Sequence, residues 1–134
     1  MGKAIGTFTV TGGSEQTIRE APGEVKLTRV SGTQQFGGGI VGEGSVEWVF
    51  CYRPDGSATF IGLQFIEGSI DGLPGSLVLE SVGDHDGGRS RGHWRVIPAS
   101  GAGELAGISG EGSFEALGGR EVPYVFDYEL DRRP

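Results

Sequence analysis

Gly101, Gly103 and Ala106, inside the stretch "VIPASGAGELAGISGEGSF" (96–114), spell G-x-G-x-x-A. With a strand before it and a helix after it, that spacing lets a backbone turn approach a dinucleotide pyrophosphate. "HWRVIP" supplies a candidate strand, but the helix is missing. Ala106 is followed by "GISGEGSF", and each glycine costs about 1 kcal/mol in a helix interior. Pro98 interrupts the strand-to-helix turn, and 27 residues after Gly107 are too few for the rest of a nucleotide fold. No Gly-Lys-Ser/Thr follows, so a phosphate-binding loop fails as well. The expectation is no nucleotide and no cofactor.

Other residue types invite chemistry singly. His85 stands between Asp84 and Asp86 in "GDHDGG", but no second histidine is near and the segment has turn composition. A charged turn is expected there and no metal site. Cys51, the one cysteine, sits mid-strand in "VFCYR" and reads as a small filler, not a nucleophile. Tyr52, Tyr124 and Tyr128 each offer a hydroxyl able to polarise a carbonyl from an apolar pocket, or simply to bond core backbone. Glu80 in "SLVLES" is the candidate acid. If Leu77 and Leu79 face away from the interior, Glu80 faces in, and desolvation would hold it neutral for general acid work. In the opposite parity the leucines are core and Glu80 is an ordinary solvated acid. Glu80 and Tyr52 are accordingly the candidate catalytic pair.

The elements that must position these residues are strands. No long segment carries a 3.6-residue apolar period, whereas period-two runs recur between turn signals. "KAIGTFTVTG" predicts a first strand over roughly 3–12, and "EVKLTRVSGTQQF" a second over 24–36, followed by a reversal at the glycines 37–39. Further strands are read in "GSVEWVFCY", "ATFIGLQFIEGSI", "SLVLESVGDH", "SRGHWRVIP", "GISGEGSFEA" and "VPYVFDYEL". About eight strands with short connections predict an all-β meander closed into one antiparallel barrel spanning 1–134, since closure removes exposed edges. Alternation puts Trp48, Phe50 and Tyr52 on one face, opposite Glu47 and Cys51. It puts Trp94 opposite His93 and Arg95, and Tyr124, Phe126 and Tyr128 opposite Asp127 and Glu129. The aromatic faces are expected to fill or line the lumen, with Gln64 beside them as a ligand contact.

Composition narrows the partners. The 134 residues include 27 glycines and 6 prolines, about a quarter of the chain. They punctuate apolar runs, as turns and close-packed strands do, instead of forming a disordered tail. Eleven Lys and Arg against 18 Asp and Glu leave a net charge of −7, which does not attract a phosphate backbone, so nucleic acid is not expected. No apolar run of about 18 residues and no charged-then-apolar leader is present, so neither a membrane span nor a signal peptide is read, and a cytoplasmic location is expected.

"SGAGELAGISGEG" resembles the S/T-G-x-G-x-x-x-G-x-x-G segment of the allene oxide cyclase and dirigent superfamily. "DGSATFIGLQFIEGSIDGLPGSLVLESVG", "DGGRSRGHWRVIPASGAGELAGISGEGSF" and "YVFDYEL" resemble the bacterial domain-of-unknown-function 3224 family within it. The resemblance covers 39–131 closely and implies an antiparallel eight-stranded barrel in which the glycine-rich segment is a link into the next strand. It implies no reaction. The carboxylate, amide and cysteine that line the lumen of allene oxide cyclases have no counterpart set, because Cys51 lies opposite the aromatic face. Gln64 stands where the family commonly has an acid, Glu80-Ser81 where it commonly has Gln-His, and His93 where it has a small residue.

Three functions follow as expectations, the last of them a barrel packed solid that acts only through its surface or as an oligomer. One is a cofactor-independent isomerase or cyclase of bacterial secondary metabolism, folding a polyene- or polyketide-like substrate inside an aromatic barrel. The alternative is a lipocalin-like barrel that binds a small apolar molecule without chemistry. Trp48, Phe50, Gln64, Trp94, Tyr124, Phe126 and Tyr128 are the expected ligand contacts, and homo-oligomerisation through the outer face is an expectation of the same reading.

Overall fold

The computed structural model describes residues 2–131. The strands are β1 (Gly2–Arg19), β2 (Lys26–Gly38), β3 (Ile40–Tyr52), β4 (Ala58–Ile70), β5 (Leu73–Asp86), β6 (Arg89–Val96), β7 (Ala102–Gly103), β8 (Ile108–Ala116) and β9 (Val122–Leu130). No helix occurs among the described residues. Each strand pairs antiparallel with its neighbour from β1 to β6, then β6 with β8, β8 with β9, and β9 with β1. The result is a closed eight-stranded barrel, with β7 a two-residue addition on the outside of β5.

The glycine content has a spatial reason. Inward aromatics stand directly opposite glycines on the adjacent strand: Trp48 opposite Gly62, Phe60 opposite Gly83, Phe114 opposite Gly92, and Phe126 opposite Gly112. Each ring lies down over bare backbone. A Cβ added at Gly62 would come within 2.5 Å of Trp48 Cδ1, and one at Gly112 within 3.2 Å of Phe126 Cδ1. Pairs of this kind let large rings fill a narrow barrel without forcing the strands apart. The rings then touch one another, with centroids 5.1 Å apart for Phe8–Phe36 and 5.6 Å for both Trp94–Phe114 and Trp94–Tyr124.

The first strand is longer than its sequence suggests. Gly12-Gly13 reads as a strand end, but β1 runs on to Arg19 through a bulge: Val10 pairs with Gln34, and Gly12 already with Thr33. A bulge shifts the register by one and turns the following residues over. Ala4 and Phe8 face the interior before it. After it, Glu15 and Thr17 face the interior, opposite Val30 and Thr28. β9 accompanies β1 only as far as Phe8, so from there β1 is paired with β2 alone while β2 stays paired with β3, and the β1–β2 hairpin rises past the end of β9.

The link between β6 and β8 is not the start of a helix. Ala102-Gly103 pairs with Gly75-Ser76, two tight turns follow (Leu105 N to Ala102 O, 3.2 Å; Ile108 N to Leu105 O, 3.1 Å), and Leu105 is driven into the core. No helix of the described residues is long and apolar enough to cross a membrane.

Candidate functional site

The barrel has two unlike ends. At one end, Asp71 and Gly72 turn β4 into β5 with φ of 48° and 85°, a two-residue hairpin that leaves the Asp71 side chain beside β9. Tyr128 donates to Asp71 Oδ2 at 2.6 Å. Tyr124 accepts from Ile40 N at 2.9 Å and donates to Gly37 O at 2.8 Å, tying down the β2–β3 reversal. Burial foremost, then the Asp71 carboxylate, pushes the Tyr128 hydroxyl up to about 12. Burial also raises Tyr124. This end is sealed.

The middle is sealed as well. Trp94 and Gln64 are wholly buried, and Trp94 Nε1 donates to Gln64 Oε1 (2.7 Å) while Gln64 Nε2 donates to Gln34 Oε1 (2.8 Å). The chain of amides satisfies the indole inside an apolar core, where a lone donor would be costly.

The other end is open. Here β3 carries Trp48, Phe50 and Tyr52 along its inward face, all half-buried, and the raised hairpin continues that same face beside them, with Val30 next to Trp48, Thr28 next to Phe50 and Glu15 next to Val30. Thr28 and Tyr52 donate to the same oxygen, Glu15 Oε2, at 2.7 and 2.9 Å. Burial first, then the hydrogen bond to Glu15 and its charge, pushes the Tyr52 hydroxyl up to about 12. Tyr52 therefore stays a proton donor at neutral pH and is no base. Two hollows meet at Glu15. One, of about 330 Å³, is lined by Val10, Glu15, Val30, Val46 and Trp48. The other, of about 450 Å³, is lined by Glu15, Thr17, Lys26, Thr28 and Tyr52. Trp48 Nε1 is buried beside the first with no hydrogen-bond partner, an unusual state for an indole.

A larger depression, about 660 Å³, lies on the outer face against Leu63, Phe65 and Val78. The acid beside it, Glu47, is already held by Arg29 at 2.6 Å, so this depression offers apolar surface but no carboxylate free of a cation. The mouth combines both.

The residues singled out from the sequence are thus distributed, not gathered. Trp48, Phe50, Trp94, Tyr124, Phe126 and Tyr128 turn inward as alternation predicts, and Gln64 is buried with them. They line no common lumen: Gln64, Trp94 and Phe126 are core, Tyr124 and Tyr128 close the far end, and Trp48, Phe50 and Tyr52 border the mouth. Glu80 requires a correction. Leu77 and Leu79 are the buried residues of β5, so Glu80 is on the outer face, directly opposite Arg95 and 3.3 Å from its guanidinium. Two leucines gain more from burial than an unpaired carboxylate can, and the parity follows them. His85 bonds Ser90 through Nδ1 at 2.8 Å. Glu15 escapes sequence reading because counting parity from Phe8 places Ser14 and Gln16 inward. The only signal is Gly12-Gly13, a pair able to hold a bulge.

The model of DUF3224, described as a protein of unknown function, matches residues 4–128. The chain belongs to the DUF3224 family. A crystal structure of a DUF3224 protein of unknown function from Shewanella oneidensis MR-1 is similar throughout, at 26% identity and a TM-score of 0.79, covering 98% of this chain and 99% of that one. No curated protein matches. DUF3224 membership thus agrees with the barrel.

Proposed function

We propose that this barrel binds a small apolar molecule at its open mouth, against Trp48, Phe50 and Tyr52, and performs no chemistry on it. The observation that carries the reading is the contrast between a filled interior and a half-buried aromatic wall beside hollows that contain Glu15. Pockets for small molecules combine such apolar surface with a few convergent polar groups. The likeness of "SGAGELAGISGEG" to allene oxide cyclase and dirigent barrels belongs to this proposal, as does a cytoplasmic place of action.

The cofactor-independent cyclase is the second reading, favoured by one feature: Glu15 and the protonated Tyr52 put a carboxylate and a proton donor on one wall. It would work at the mouth, where there is room, and without Glu80.

Nile red, a neutral apolar dye, tests the first reading. Its emission should rise on titration with the protein and fall back in Trp48→Ala, with Leu63→Ser on the outer face as the control that keeps the signal. Dye binding that survives Trp48→Ala and disappears with Leu63→Ser would move the site to the outer wall and overturn the reading.

A further inference from the structure

Four carboxylates on the outer wall of the barrel strands have a Lys or Arg within 4 Å, whereas Glu43, Glu67 and Glu129 on the same wall have none among the described residues. Glu47 has Arg29, Glu80 has Arg95, Glu115 has Arg89 and Arg91, and Asp127 has Lys3. Glu15 differs. It faces inward, its two partners are neutral hydroxyls, and both donate to Oε2. Oε1 receives no hydrogen bond from any described residue, and no Lys or Arg of the described residues lies within 4 Å. Lys26 lines the same hollow but pairs with Glu20 at 3.8 Å. Thr28 is buried while donating to Glu15, so the carboxylate is held in place without being neutralised.

Around this held charge stand aromatic rings. Trp48 borders one hollow with Glu15, and Tyr52 borders the other. Tyr52 is stacked on Phe50 with centroids 5.6 Å apart, and Phe50 on Phe60 at 5.1 Å. Ring faces attract cations through their quadrupole, most strongly for Trp and when water is displaced. A carboxylate with an open oxygen among such rings suits a positive charge better than any neutral polar group. A net charge of −7 raises the local concentration of cations before contact.

We infer that the mouth selects an organic cation: an amine or quaternary ammonium head set against Glu15, carried on an apolar body that lies along Trp48 and Phe50. This rests on the mouth being a binding site and adds the charge of its ligand.

The test uses two probes of the same shape, benzyltrimethylammonium and its uncharged isostere neopentylbenzene, titrated separately into the intact protein with tryptophan fluorescence and calorimetry as readouts. The cation should bind on the order of tenfold more tightly than the isostere, and its affinity should fall as salt rises from low to physiological strength. Glu15→Gln should weaken the cation several-fold and leave the isostere unchanged, the residual preference coming from the rings. Should that variant melt early, the salt dependence of the wild-type protein decides alone. If the isostere binds as well as the cation, or the cation shows no salt dependence, the charge selection is wrong while mouth binding stands. If neither probe binds and Nile red is also indifferent to Trp48→Ala, the mouth reading fails and takes this inference with it.

Discussion

Tyrosines guard both ends of the barrel and do different work at each. At the sealed end, Tyr124 bonds backbone on both sides of the β2–β3 reversal, and Tyr128 bonds the Asp71 turn. Their hydroxyls substitute for water, and the chain closes over them. At the mouth, Tyr52 bonds a carboxylate that itself remains open to solvent. The same phenol is a fastening where its partner is backbone and part of a receptive surface where its partner is an unpaired acid. Burial beneath neighbouring strands accounts for the difference: β9 and the turns cover one end, whereas the raised hairpin walls the other on one side only.

The largest effect that sharpens this contrast comes from one substitution made twice in β1. A Cβ at Gly6 would run into Gly37 O and lie 2.7 Å from the Tyr124 hydroxyl, whereas a Cβ at Gly12 meets only Thr33 Oγ1 at 3.2 Å. Gly6→Ala should cost about 1–3 kcal/mol in urea unfolding, and Gly12→Ala no more than about 0.5 kcal/mol. Equal losses would mean the mouth is as tightly fitted as the sealed end.

Next come the hydroxyls. Tyr124→Phe strands Ile40 N and should cost about 1–3 kcal/mol, the penalty of an unpaired buried group. Tyr52→Phe leaves Glu15 to water and should stay within about 0.5 kcal/mol by the same assay. A costly Tyr52→Phe would mark the mouth as structural.

Alkaline titration probes both ends with a smaller change. Tyr52 and Tyr128 are each raised to about 12 in the folded state against about 10 in an unfolded chain. Holding them protonated stabilises the fold fully below pH 10, and that contribution is lost as pH climbs through about 12. Tyrosinate absorbance should therefore develop late, and Tyr52→Phe and Tyr128→Phe should each remove one late step. An ordinary titration for Tyr52 beside a late one for Tyr128 would show the mouth to be wetter than its hydrogen bonds imply.

Hydrogen exchange should register the smallest difference. Outward-pointing amides of residues 10–19 in β1, which have no strand beside them opposite β2, should exchange faster than those of residues 2–8, which β9 covers.

Much of this architecture is legible in the chain itself. Alternation in "VEWVFCY", "GHWRV" and "YVFDYEL" fixes which side chains turn inward, because strand side chains have a period of two whatever packs against them. Short turns at 37–39, 54–56 and 71–72 fix the meander and the antiparallel closure. The glycines after Ala106 suffice to refuse a helix. Three things needed the folded molecule. Whether inward residues line a cavity or fill a core depends on which glycines lie opposite which rings, and that is set by register between strands far apart in sequence. The parity of "SLVLES" has two self-consistent answers until Arg95 is seen across from Glu80. Glu15 owes its inward position to a bulge at Gly12-Gly13, and a one-residue slip leaves the amino-acid pattern unchanged while reversing every side chain after it.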